Sequence, residues 1–252
     1  MISFRREQLF LVTGASSGIG RAVTLLLTEL GASVVALGRD KRKLEGVRLD
    51  SVRPETVHLC PYDLMQDPGC LPQLVEDIRA QYGKLAGFCS CAGTMYMDGL
   101  RNYEYSQSVC VFTMHTLVPL ALARAVTDAC NCVGPGTSIV FIAAAGGVVP
   151  QGGLLSYGAA KAALIAAAKN MSKEMGSRHI RVNCVSPALV RTPMTEGDYA
   201  GLMGYDVLAQ EAGNYPLGLG NPEDVAAAVV FLLSDRARWI SGRNLLLDGG
   251  RY

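Results

Sequence analysis

Leu9-Phe10-Leu11-Val12-Thr13-Gly14-Ala15-Ser16-Ser17-Gly18-Ile19-Gly20 joins an apolar run to a glycine-rich turn. Ile19, Val23, Leu26, Leu27 and Leu30 then fall on one helical stripe, and Gly31 follows as a stop signal. Strand, turn and helix in that order put a helix N-terminus at the carboxyl end of a strand. Glycines there permit a tight turn and let backbone N–H groups approach a pyrophosphate, while the helix end adds partial positive charge. A turn that merely needs flexible residues would carry the same glycines. The strand before it and the amphipathic helix after it favour a dinucleotide site.

Working outward, short apolar runs alternate with longer segments of helical period. The strand candidates are Leu9–Val12, Ser33–Leu37, Thr56–Cys60, Gly87–Ser90, Ser138–Ala143, Arg181–Val185 and Asn244–Leu247. Several are continuously hydrophobic, as parallel strands buried on both faces are. Leu71, Leu74, Val75 and Ile78 make a second helical stripe before Gly83. This alternation predicts an α/β fold, a doubly wound parallel sheet of the Rossmann type. About seven strands, with helices on both faces, form one domain over residues 1–252. Two stretches break the rhythm. Val148–Leu155 is a Gly/Pro-containing loop, and 187–216, rich in Gly, Met and Tyr, reads as a substrate loop or lid. Both follow strands, so both belong on the edge where open α/β sheets bind ligands.

Composition narrows the function classes. Half of the 252 residues are hydrophobic, which implies a sizeable core. Lys and Arg total 23 against 22 Asp and Glu, so the net charge of +1 recruits neither nucleic acid nor an anionic membrane. No stretch approaches the ~20 continuous apolar residues of a membrane span, and the N-terminal residues lack a signal-peptide run. The eight cysteines include two C-x-C pairs, Cys89/Cys91 and Cys130/Cys132, without zinc spacing or a His cluster. No metal is expected, and buried reduced thiols point to a cytoplasmic protein.

The second strand bears on which dinucleotide. An NAD site places Asp or Glu near this strand's end, whereas an NADP site uses Arg for the 2′-phosphate. Ala36-Leu37-Gly38 carries no acid and Arg39 follows, with Lys41, Arg42 and Lys43 behind. A guanidinium offers a planar fork to phosphate, which favours NADP(H) over NAD. A solvated basic cluster opening the next helix would read the same way, and Asp40 weakens its field.

These residues together resemble the short-chain dehydrogenase/reductase family, over nearly the whole chain and in particular its 3-oxoacyl-carrier-protein-reductase-like members. Thr13–Gly20 matches the family's TGxxxGxG loop. Asp63-Leu64 is similar to its adenine-contacting pair. Ser90-Cys91-Ala92-Gly93 stands where the family has Asn-Asn-Ala-Gly, with both asparagines replaced. Tyr157-Gly158-Ala159-Ala160-Lys161 matches Tyr-x-x-x-Lys. Ser186-Pro187, Val190 and Thr192 resemble the segment lining the nicotinamide. Asn221-Pro222-Glu223-Asp224 and Asp248-Gly249-Gly250 resemble the C-terminal signature. The resemblance implies NADP(H) contacts from Gly14, Ser16, Ser17, Gly18, Ile19, Gly20, Arg39, Asp63, Leu64, Cys91, Ala92, Gly93, Pro187, Val190 and Thr192. Tyr157 and Lys161 also reach the cofactor.

Tyr157 and Lys161, four apart, share a helix face. An ammonium beside a phenol is expected to lower the Tyr pKa. In the family the Tyr exchanges a proton with the substrate oxygen while the Lys holds the nicotinamide ribose. Two departures stand out. The family's catalytic Ser lies thirteen residues before the Tyr, where this chain has Ala144. Losing one such donor costs roughly 10²–10³ in rate. The helix Asn that ties the Lys to a water relay aligns with His115, which can also donate and accept. A satisfied helix histidine is the plainer reading.

Three arrangements accommodate Ala144: a neighbouring hydroxyl such as Ser156 or Thr94 substitutes, substrate or water supplies the hydrogen bond, or the chain is an impaired homologue. The last would be a dinucleotide-binding or partner subunit. Otherwise the expectation is an NADP-dependent oxidoreductase interconverting a small, partly apolar carbonyl and its alcohol. Candidate substrate walls are Met95, Tyr96, Met97, Val148, Val149, Leu154, Met194, Tyr199, Leu202, Met203 and Tyr205. The family implies a homodimer or homotetramer, or a hetero-oligomer with an active homologue, through long helices near 102–128 and 156–176.

Overall fold

A computed structural model describes residues 2–203 and 206–252. Seven strands form one parallel sheet: β1 Leu9–Thr13, β2 Ser33–Gly38, β3 Val57–Pro61, β4 Leu85–Ser90, β5 Ser138–Ile142, β6 Arg181–Pro187 and β7 Asn244–Leu247. Their order is β3-β2-β1-β4-β5-β6-β7, the doubly wound arrangement. β1, β2, β4, β5 and β6 are buried at every residue, which explains their unbroken hydrophobicity. β3 and β7, at the two edges, are only partly covered.

The pleat sorts β1 between two cores. Phe10 and Val12 join α1 (Gly18–Glu29), α2 (Lys41–Asp50) and α9 (Pro222–Leu233) on one face. Leu9 and Leu11 join α3 (Leu71–Tyr82), α5 (Val118–Val126) and α6 (Leu155–Met175) on the other. Alternation at a period of two is what lets one short strand feed both layers.

α5 continues α4 (Tyr105–Phe112) through a five-residue π-helical turn, Thr113–Leu117. The joined helix Tyr105–Val126, with mean hydropathy 1.7, is long and apolar enough by composition to cross a membrane. The apolar-run expectation missed it because polar residues interrupt the run. Half of its apolar window is buried within the protein, where Val118, Leu122, Ala123 and Val126 belong to the core.

Part of 187–216 is regular: a π-helical segment Met194–Tyr199, then α7 (Ala200–Met203) and α8 (Val207–Glu211). A loop expectation there missed these helices because each is one or two turns long, too short for a 3.6-residue period to register.

Candidate active site

The strand order reverses between β1 and β4, so their carboxyl ends open a crevice. Two adjoining hollows occupy it. The smaller, about 200 Å³, is lined by Gly14, Ser16, Ser17, Gly18 and Gly20 of the first turn, and by Arg39, Asp63 and Leu64. The larger, about 270 Å³, is lined by Tyr157, Lys161, His115, Pro187 and Val190. Ile19, Cys91, Ala92, Gly93 and Thr192 line both. Every catalytic and cofactor-binding candidate read from the sequence lines one hollow or the other.

The first turn is shaped for close backbone approach. Gly14 has φ +64°, and a Cβ there would stand 2.8 Å from the Ala92 backbone. A Cβ at Gly20 would stand 2.3 Å from the Gly14 carbonyl oxygen. α1 begins at Gly18 with no side-chain cap and no acid in its first turn. Its leading N–H groups therefore remain donors beside the smaller hollow, the polarity that suits an anion. The backbone cradle, the helix end and Arg39 fit a dinucleotide phosphate. Arg39 reaches this hollow, while Asp40 caps α2 by accepting from Arg42 and Lys43 N–H at 2.8 and 3.2 Å.

At the larger hollow, α6 carries Tyr157 and Lys161 on one face. The Lys161 Nζ stands 5.7 Å from the Tyr157 ring centroid and donates to the Ile142 carbonyl at 2.7 Å. The His115 ring meets Tyr157 edge to face, with centroids 5.0 Å apart. Its position inside the π-helical turn fits the tendency of such bulges to occur at functional sites. His115 Nε2 lies 2.9 Å from the Thr94 carbonyl oxygen and 3.4 Å from the Thr94 amide nitrogen. The shorter contact assigns the proton to Nε2, leaving Nδ1 a buried acceptor without a protein partner among the described residues.

Burial governs the titration of all three groups. It pushes Tyr157 up to about 12. It pulls Lys161 down to about 8, with Cys91 and Cys184 acting the other way. Burial, then the Lys161 charge, brings His115 down to about 3. The expectation that the Tyr157 pKa falls below its usual value is therefore corrected. The ammonium stands over the ring and is hydrogen-bonded to Ile142, so desolvation of a phenolate outweighs its attraction. At neutral pH the phenol keeps its proton, the histidine is neutral and the ammonium is charged.

Ala144 faces the larger hollow and presents a methyl. Neither neighbouring hydroxyl stands in for it. Ser156 is buried, donates to the Asp98 carboxylate and meets Ser108 Oγ at 2.7 Å. Thr94 lines only the smaller hollow. Of the substrate walls read from the sequence, Met95, Met97, Leu154 and Met194 line the larger hollow. Tyr96, Val148, Val149 and Leu202 lie outside its lining. Tyr205 and the side chains of Tyr199 and Met203 lie outside the described residues.

The structure adds residues that the motifs did not point to. Asp98 Oδ1 accepts from the Ser156 N–H at 2.9 Å, satisfying a leading donor of α6 one residue before Tyr157. Gln151, Glu211, Tyr215, Arg251 and Tyr252 make a polar end to the larger hollow. The one available signal was Asp248-Gly249-Gly250, whose turn carries Arg251 and Tyr252 there.

Known proteins agree with this geometry. The family described as Enoyl-(Acyl carrier protein) reductase matches residues 14–251. The (3R)-3-hydroxyacyl-CoA dehydrogenase of Canis lupus familiaris is 32% identical over 256 residues, covering 98% of this chain and 97% of its own. The 3-oxoacyl-[acyl-carrier-protein] reductase FabG of Escherichia coli (strain K12) is 31% identical over 246 residues, covering 97% of each chain. The solved structure titled Short-chain dehydrogenase/reductase SDR:Glucose/ribitol dehydrogenase, from Brucella melitensis, superposes with a TM-score of 0.89 at 22% identity. It covers 100% of this chain and 99% of that one, which shows the shared fold. Sheet order, glycine cradle, Tyr157–Lys161 pair and full-length matches converge on one statement: the chain belongs to the short-chain dehydrogenase/reductase family and resembles the 3-oxoacyl-[acyl-carrier-protein] reductases.

Proposed function

We propose that the protein is an NADP(H)-dependent oxidoreductase that interconverts a carbonyl and an alcohol on a small, partly apolar substrate. One observation carries the reading: Tyr157, Lys161 and His115 gather in the larger hollow, directly beside a backbone cradle suited to a dinucleotide. Arg39, which lines the smaller hollow, supports NADP(H) over NAD. Gly14, Ser16, Ser17, Gly18, Ile19, Gly20, Asp63 and Leu64 would hold the nucleotide, with Cys91, Ala92, Gly93, Pro187, Val190 and Thr192 toward the reacting end. The cofactor, when bound, supplies or accepts the hydride.

The chain's own residues handle the proton. Tyr157, protonated at neutral pH, is the donor to a carbonyl oxygen during reduction. Lys161, held by the Ile142 carbonyl, keeps a positive charge under the ring and stabilises the phenolate left behind. His115 Nδ1 is placed to accept from a relay water or from a hydroxyl. Residues 187–216 act as the substrate loop.

Ala144 favours a second reading, a catalytically impaired homologue that binds the dinucleotide or serves as a partner subunit. The discriminating experiment is NADPH oxidation against a ketone panel, with Tyr157→Phe as control and NADPH binding measured by fluorescence. The oxidoreductase reading expects turnover that falls by roughly 10²–10⁴ in the variant, the usual contribution of a positioned general acid, with binding retained. Micromolar NADPH binding without turnover on any ketone establishes the second reading.

Partners and location follow the same reading. A net charge of +1 supports a small-molecule substrate rather than nucleic acid or an anionic membrane. All eight cysteines are free, Cys70, Cys110 and Cys130 exposed rather than buried as expected, and the free thiols support a cytoplasmic protein. Tyr105 and Leu117 are 76% and 57% exposed on the long α4–α5 helix, which suits burial in a homodimer or homotetramer, or against an active homologue. Size-exclusion chromatography with light scattering measures that assembly.

A further inference from the structure

Asp248-Gly249-Gly250 folds the chain back on itself after β7. Gly249 and Gly250 have φ of +60° and +81°, and a Cβ at Gly249 would stand 2.9 Å from the Gly218 carbonyl oxygen. The Asp248 carboxylate accepts from Gly250 and Tyr252 N–H at 3.0 and 3.1 Å. The turn lays the Arg251 guanidinium 5.0 Å from the Tyr215 ring centroid and 5.3 Å from that of Tyr252. Arg251 Nη1 donates to the Tyr215 phenol oxygen at 2.9 Å and pairs with Glu211 at 2.5 Å.

Donor accounting at this corner leaves a surplus. Tyr215 is 6% exposed, and its oxygen accepts from Arg251 and, at 3.3 Å, from the Leu189 N–H. With both lone pairs engaged, the phenol proton has no acceptor among the described residues. Arg251 Nε and Nη2 likewise make no hydrogen bond to an acceptor among them. At the buried Tyr215 hydroxyl an unmet donor is costly unless something accepts from it, while the remaining Arg251 donors stay open to solvent beside it. Tyr215, Glu211 and Arg251 line the same hollow as Tyr157 and Lys161, and Met97, Leu154 and Val207 line it too.

We infer that this corner is a second recognition point for the substrate, taking an uncharged acceptor oxygen separated from the reacting carbonyl by an apolar carbon frame. The inference rests on the proposed oxidoreductase reading and deepens it by naming the substrate class: a ketone, or its alcohol, that bears a second hydroxyl or carbonyl oxygen. Glu211 makes the choice of an uncharged group. Its carboxylate already neutralises Arg251, so a substrate carboxylate would face a like charge at the same corner.

Isothermal titration with NADP⁺ present reads the point without turnover, because oxidised cofactor and ketone form no productive pair. The probes are 1-tetralone, 6-hydroxy-1-tetralone and the 6-carboxylate of the same ring. The hydroxylated probe should bind roughly three- to tenfold more tightly than the parent, the scale of one net hydrogen bond. Tyr215→Phe should bring that ratio to about one, and Arg251→Met should lower it as well. Glu211→Gln should improve the carboxylate probe relative to the hydroxylated one. Equal affinities of parent and hydroxylated probe in the wild type overturn the inference. So does a Tyr215→Phe variant that keeps the ratio, or failure of both ketones to bind at millimolar concentration. The two readings fail separately: discrimination in binding without NADPH turnover sinks the oxidoreductase, and turnover without discrimination sinks the second recognition point.

Discussion

The two hollows of the crevice are built by different means. The smaller is lined by the glycine turn, the start of α1 and the residues after β4, with Arg39, Asp63 and Leu64 from the ends of the next strands. The larger is made of side chains from segments spread between Ile19 and Tyr252. A backbone site needs particular conformations at consecutive positions, so it leaves a contiguous motif. A side-chain site needs only that distant residues converge, so neighbouring members of one family can rebuild it freely. Of the departures from the family pattern, Ala144 and His115 lie on the side-chain half, while Cys91 lines both hollows.

Substitutions in the two halves should therefore fail differently. The largest effect is expected at Gly14→Ala. Positive φ and a Cβ 2.8 Å from the Ala92 backbone combine strain and overpacking, each on the order of 1–3 kcal/mol. The melting temperature should fall by about 5–15 °C, and NADPH binding should weaken with it. A variant that melts and binds like the wild type would show that the backbone half tolerates side chains after all.

Next comes Ala144→Ser, on the opposite half. Restoring a donor beside Tyr157 should raise the ketone reduction rate roughly tenfold or more, within the 10²–10³ that such donors contribute. Single-turnover NADPH oxidation checks it, and an unchanged rate would mean that another group already fills the role. Arg39→Ala should weaken NADPH roughly ten- to a hundredfold while leaving NADH within a factor of about two, since one charge-assisted hydrogen-bond fork is worth roughly 1.5–3 kcal/mol. Equal losses for both nucleotides would remove the preference from Arg39.

The last effect is thermodynamic and emerges only on acidification. His115 has its pKa lowered from 6.5 to about 3 by burial. Between those values the unfolded chain binds a proton that the folded one does not, so stability rises with pH and is lost on acidification. His115→Asn should therefore lose about 2 kcal/mol less than the wild type between pH 7.5 and pH 5, by urea denaturation. Parallel losses would mean that this imidazole is protonated inside the fold.

Much of the backbone half is legible from residue order. Continuous apolar strands, the Thr13–Gly20 turn and the stripes of α1 and α3 each state a local requirement in consecutive residues. The Tyr157–Lys161 pair is legible for the same reason, since four residues make one helical turn. What could not be read is how strongly each group is desolvated. A neighbouring ammonium suggests an acidified phenol, yet the fold half-buries the phenol, buries Lys161 and turns it toward Ile142, and the phenol pKa rises instead. Ser156 is a similar case. Next to Tyr157 in the chain, its hydroxyl is held by Asp98, 58 residues away.

Chain order alone settles the apolar strand runs, the cradle at Gly14–Gly20 and the helix face shared by Tyr157 and Lys161, because each depends on a pattern within a few residues. Packing settles the protonation of Tyr157, Lys161 and His115, the engagement of Ser156 and the meeting of Glu211 with Arg251. Those outcomes depend on how much water each group loses and on which distant partner faces it, and neither quantity exists until the chain has folded.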